Sequence, residues 1–165
     1  MRIVSLLPSA TEIICALGAH QGNICTLVGI SHSCDYPAEI CDLDVLTSTR
    51  VPVHETQLVI DQFVRQELAA GRGLYALDIE KLAELRADVI VTQTLCDVCA
   101  VSSGDVYQAV ADLPGDCKLV ELAPSCLDDV YDDIIRVGDA VYAGSEARQL
   151  VMQLRERAEA VSRQQ

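Results

Sequence analysis

Aromatic residues are nearly missing from this sequence: 165 residues hold five tyrosines, one phenylalanine and no tryptophan. Surfaces on which bases or flat rings stack are correspondingly scarce. Basic side chains are also few, 12 Lys and Arg against 25 Asp and Glu, for a formal net charge of −13. Nucleic acid and anionic membrane both demand a basic face, so this balance excludes them as partners. No apolar run is long enough to span a bilayer. Met1-Arg2 passes straight into Ile3-Val4-Ser5-Leu6-Leu7-Pro8, too short and too soon broken for a secretory signal, so a cytoplasmic location is expected. There is no internal repeat, phosphate loop, serine–histidine–acid set or carboxylate pair. Thiol redox chemistry is the one enzymatic activity left open, and the chain is otherwise expected not to be an enzyme.

Half of the residues are apolar, mainly Val, Leu, Ile and Ala, enough for one domain with a sizeable core. Eight cysteines are spread along the chain, at 15, 25, 34, 41, 96, 99, 117 and 126. In a reducing compartment such cysteines indicate metal, redox chemistry or simple burial, ahead of disulfides. Cys15, Cys25, Cys117 and Cys126 fall in or beside apolar stretches and read as small buried hydrophobes.

The pattern along the chain is that of an α/β protein. Arg2 to Leu7 and Ile24 to Ile30 are apolar runs that predict buried strands, with a helix between them. Ser9-Ala10-Thr11-Glu12 matches a capping box for that helix, with Ser9 as N-cap, and Gly18 closes it. A short strand is expected within Asp42 to Leu46, then a polar loop from Thr47 to His54. Helices are expected over Glu55 to Ala70 and, capped by Asp78, over Ile79 to Leu85. Asp88 to Val91 and Lys118 to Leu122 are further strands, separated by a helix over Ser103 to Leu113. This order predicts a mainly parallel sheet with helices on both faces. The last third is helical: Val130, Ile134, Val137 and Val141 make one apolar stripe, and Leu150, Val151, Leu154, Ala158 and Val161 a second.

Thr92-Gln93-Thr94-Leu95-Cys96-Asp97-Val98-Cys99-Ala100-Val101-Ser102 sits where the Asp88 strand hands over to a helix. Ligands of open α/β sheets bind at this carboxyl edge, and the positive end of a helix favours thiolate there. Ser31-His32-Ser33-Cys34 follows the Ile24–Ile30 strand and is expected at the same edge. His32 alone reads as a hydrogen-bonded loop histidine. Together with Cys34, Cys96 and Cys99 it makes a candidate four-ligand metal site, because two-residue spacing lets both thiolates reach one ion.

Several motifs together resemble a known family. Arg2-Ile3-Val4-Ser5-Leu6-Leu7-Pro8-Ser9-Ala10-Thr11-Glu12 resembles the opening of substrate-binding proteins of ABC importers for iron-siderophores and cobalamin. Ser31-His32-Ser33-Cys34-Asp35-Tyr36-Pro37, Leu74-Tyr75-Ala76-Leu77-Asp78 and the Cys96 stretch resemble a leaderless branch, usually called cobalamin-binding proteins. The resemblance implies one lobe of a two-lobed periplasmic-binding-protein-like fold over residues 1–124. A linking helix and C-terminal helical segment would then occupy 125–165, and the sequence ends where a second lobe is expected. The resemblance also implies a periplasmic importer receptor, in tension with the missing signal. Ser9, His32, Tyr36 and Gln93, all within the motifs, are the implied ligand contacts, with His32 able to ligate cobalt.

Three functions follow. The first is a non-catalytic binding protein for a cobalamin-like ligand or metal chelate. The second is a metal or iron–sulfur protein using Cys34, Cys96 and Cys99 with His32, holding zinc or a cluster. The third is a thiol oxidoreductase using Cys96 and Cys99, although the aromatic residue and the proline of a thioredoxin site are absent. The apolar C-terminal stripes predict a homodimer or a partner subunit packed on the Leu150–Val161 helix.

Overall fold

A computed structural model describes residues 1–94, 103–113 and 115–163. Five strands form one all-parallel sheet: β1 (Arg2–Ser5), β2 (Thr26–Ile30), β3 (Asp44–Val45), β6 (Val89–Gln93) and β7 (Lys118–Leu122), in the order β3-β2-β1-β6-β7. Two further strands, β4 (Thr47–Thr49) and β5 (Tyr75–Leu77), pair antiparallel in a small separate sheet. Helices α1 (Pro8–Ala16), α2 (Gln57–Ala69), α3 (Ile79–Leu85) and α4 (Ser103–Asp112) connect the strands, and α5 (Leu127–Ala140) and α6 (Gly144–Ser162) follow β7. Among the described residues no helix is long and apolar enough to cross a membrane.

Alternation along the central strands divides the core into two layers, because successive side chains leave a strand on opposite faces. Ile3, Val89 and Val91 join the layer under α1 and α5, together with Ile14, Ile134 and Val137. Val4 and Ile90 join the layer under α3 and α4, with Leu82, Leu85, Val106 and Ala109. With both faces covered, the strands read as continuous apolar runs, which is why β1, β2, β6 and β7 stand out in the sequence. Gly29 in β2 is required for space: a Cβ there would sit 2.7 Å from the δ-carbons of both Leu46 and Leu85.

Two local expectations are corrected. Ser9 does not cap α1. The helix begins two residues earlier, at Pro8, with Leu7 at the N-cap position and no side-chain cap, because proline fits the first helical turn, where its missing N–H costs nothing. The stretch read as a polar loop after Leu46 holds β4, whose register Thr47↔Leu77 and Thr49↔Tyr75 gives its polar residues a backbone partner. The C-terminal region is two helices, in keeping with the two apolar stripes. The chain turns at Val141 to Ala143 with Tyr142 at φ +58°, and α6 folds back against α5. The crossing is close because a Cβ on Gly138 would collide with the Ala147 Cβ. Leu150, Val151 and Leu154 thereby pack against the core of the same lobe. The Asp78 cap is as expected, its carboxylate accepting the Lys81 N–H at 2.9 Å.

Candidate functional site

In sequence order the sheet grows outward from β1 to β2 and β3, then restarts on the other side with β6 and β7. The strand order therefore reverses between β1 and β6, and at such a point open parallel sheets bind ligands at the carboxyl edge. A cavity of about 340 Å³ lies there. Leu6, Leu7, Pro8 and Ser9 line it from β1, Ser31, His32 and Ser33 from β2, and Gln93 from β6. Thr47 of β4 and Tyr75 of β5 close one side, so the small sheet serves as a wall of the site. Among the described residues, none that lines it is an acid, a lysine or an arginine.

The polar groups at this edge form a connected set. Thr47 is buried, and its Oγ1 accepts the His32 backbone N–H at 3.0 Å and lies 2.7 Å from the His32 Nδ1. The Thr47 hydroxyl is also 3.2 Å from the Ser31 Oγ, which accepts the Ser33 N–H at 3.2 Å. The His32 ring lies against Tyr75, with centroids 5.4 Å apart. Partial burial lowers the imidazole pKa, favouring the neutral ring. A neutral imidazole bonded through Nδ1 has Nε2 left for another partner. If Nδ1–H donates to Thr47 and Thr47 donates to Ser31, Nε2 presents a lone pair. If Thr47 donates to Nδ1 instead, Nε2 presents an N–H. Pro8 and Ser9 add the first turn of α1, where the earliest helical bond is from Thr11 N–H to the Leu7 carbonyl at 3.2 Å. The Ser9 and Ala10 amides thus have no intrahelical acceptor.

Ser9, His32 and Gln93, three of the four ligand contacts implied by the sequence motifs, line this one cavity. Tyr36 does not. It is 66% exposed and borders a separate groove beside α1 and α6.

Cys34 does not line this cavity. The Cys34 N–H bonds to the Ser31 carbonyl at 3.0 Å. Its thiol is buried in the core layer under α1. There Ser5 donates to the Leu7 carbonyl at 3.0 Å and Thr11 donates to Ser5 at 2.8 Å. The Thr11 oxygen, 3.1 Å from Cys34 Sγ, is left to accept the S–H. Burial raises the thiol's pKa, so it sits as a neutral donor in a hydrogen-bond chain. Cys96 and Cys99 lie outside the described residues. Among the described residues no group of three or more His, Cys, Asp or Glu is placed to hold a metal ion.

Sequence reasoning missed Thr47, Ser31 and Tyr75. Ser31 lies in the loop already singled out, but Thr47 and Tyr75 meet it only through the β4–β5 pairing, a contact between residues far apart in the chain.

No protein-family model matches the sequence, and no curated protein matches it as a relative. Solved structures do match the fold. A periplasmic haem-binding protein, BhuT, solved in complex with two haems, superposes with a TM-score of 0.71 at 18% identity, over 96% of this chain and 48% of its own. An ABC transporter substrate-binding protein from Listeria monocytogenes EGD-e gives 0.61 at 18% identity, over 97% and 47%. The siderophore-binding protein BauB, bound to two molecules of acinetobactin and ferric iron, gives 0.60 at 14% identity, over 97% and 46%. The chain spans about half the length of these proteins and has the fold of one half of a two-lobed substrate-binding protein.

Proposed function

We propose that this chain is a non-catalytic binding protein whose cavity at the carboxyl edge of β1, β2 and β6 holds part of a metal-chelate ligand of the cobalamin type. The observation that carries the reading is the lining itself: hydroxyls, an amide, an imidazole and backbone amides at the strand-order reversal, with no charged side chain among the described lining residues. A haem edge or a carboxylate-bearing siderophore brings negative charge, and burying it without a cationic partner costs free energy. A ligand rimmed with neutral amides asks only for donors and acceptors, which Ser9, Ser31, Ser33 and Gln93 supply. His32 is the residue with metal-ligating chemistry. Its Nε2 takes the metal when Nδ1–H donates to Thr47, an outer partner that fixes the tautomer and raises the ligand's basicity.

Titration with aquocobalamin, followed by its visible spectrum, tests this. We expect saturable binding with a spectral shift, weaker binding of haem, and loss of the shift in His32→Ala. Thr47→Val, which keeps the shape and removes the hydroxyl, should weaken binding by roughly 10–100-fold, as losses of outer-shell partners do. Haem binding tighter than cobalamin, or a shift unchanged in His32→Ala, would overturn the assignment. So would protein purified without oxygen that carries the visible band of an iron–sulfur cluster.

A further inference from the structure

On the opposite side of α1 from the cavity lies a second concavity, a groove of about 430 Å³ between α1, the Tyr36-Pro37 loop, α5 and α6. Its floor is apolar: Ile13 of α1, Ile134 of α5, and Leu150 and Leu154 of α6. Glu12 and Glu39 form its rim, and both are exposed. Their field is felt inside. The Cys15 thiol, also lining the groove, has a pKa pushed up to about 11, first by burial and then by Glu39 and Glu12. Neither acid has an ion-pair partner among the described residues.

The same face of α6 continues past the groove. Leu150, Leu154, Ala158 and Val161 recur at helical spacing, so the stripe that begins in the groove runs off the lobe toward Val161, which is 61% exposed. Arg157 lies on this face, one turn before Val161. It is exposed, and it makes no ion pair among the described residues, whereas Arg155 pairs with Asp128 and Arg163 with Glu159. One patch therefore carries an apolar groove with unpaired acids and, beside it, an apolar stripe ending in exposed Val161 with an unpaired base. Such a patch complements itself under a two-fold axis.

We infer that the occupant of the groove is α6 of a second copy of this chain, packed antiparallel on the first. The register follows from the stripe. Seating Val161 of one copy beside Leu150 of the other places Arg157 opposite Leu154, at the rim that carries Glu12 and Glu39. Each contact is then made twice. About 16 Å of helix separates residues 150 and 161 at 1.5 Å per residue, a span of three turns. The apolar part supplies the attraction, and the paired charges fix the direction and register.

Sedimentation equilibrium of the full chain is the test. The wild type should be a dimer. Val161→Asp, which alters only an exposed position, should be monomeric with unchanged circular dichroism. Arg157→Glu should weaken association by about tenfold, the effect of two exposed ion pairs lost together. Glu12→Arg with Glu39→Arg should weaken it likewise, and all three substitutions in one chain should restore it, because the charges are then exchanged across the interface. A wild-type monomer, a dimer indifferent to Val161→Asp, or a charge swap that fails to restore association would each overturn the inference.

Discussion

At the residue scale, His32 and Cys34 show how two side chains two positions apart come to do different work. Both follow the apolar run of β2, and both belong to types that bind metal, so the sequence places them together. The Ser31–Cys34 turn separates them: one side chain stays at the cavity edge and the other enters the core. That turn involves no glycine or proline between its ends, and its direction is decided by room under α1 beside Thr11. The buried thiol yields a prediction. Cys41 and Cys126 are exposed, whereas Cys34 is buried and its pKa is raised. Since thiolate is the species that reacts, alkylation mapped by mass spectrometry at neutral pH should modify Cys41 and Cys126 well before Cys34. For Cys15 the thiol form prevails up to a pH of about 11, so its modification should quicken only on approaching that value. Cys34 reacting as fast as Cys41 in folded protein would show that the hydrogen-bond chain to Thr11 and Ser5 is not what holds it.

At the element scale, what was legible in the sequence follows from how many neighbours decide each element. β1, β2, β6 and β7 are buried on both faces and announce themselves as apolar runs, and the Asp78 cap of α3 needs only three residues to be read. β4 and β5 are short, three residues each, and β4 is polar throughout. β5 shows in the sequence as a brief extended piece, Leu74 to Leu77, but β4 exists because it pairs with β5 across α2, and local pattern cannot find that. The same holds for the cavity wall they supply. The break between α5 and α6 falls between the two apolar stripes, although Val141 continues that of α5, and the turn is set by Tyr142 in the left-handed region and by the approach of Gly138 to Ala147. This contact fixes the second prediction at this scale. Gly138→Ala adds one methyl group where there is no room, and overpacking of this kind costs about 1–3 kcal/mol. The urea midpoint should fall, and the Gly138→Ala/Ala147→Gly double variant should recover part of the loss. An unshifted midpoint in Gly138→Ala would mean that the two helices can part without cost.

For the whole molecule, the decisive quantity is charge. A formal −13 on 165 residues sets up a negative potential around the entire domain, and the cavity offers no cationic side chain among the described lining residues to reverse it locally. A neutral ligand crosses this field without penalty, while an anionic one is repelled from every side. Salt distinguishes the two cases, because screening shortens the reach of the field from about 30 Å at 0.01 M to about 10 Å at 0.1 M. The affinity for an anionic chelate should therefore rise between those salt concentrations. The affinity for a ligand with a neutral, amide-rich rim should stay flat, since hydrogen bonds to Ser9, Ser31 and Gln93 act at contact distance and are not screened. Isothermal titrations of cobalamin and haem at the two ionic strengths, with protein concentration held fixed so that self-association does not vary, read this out directly. An anionic ligand whose affinity falls with salt would require a cation at the site, and the reading of the cavity as a seat for neutral hydrogen-bonding groups would then be wrong.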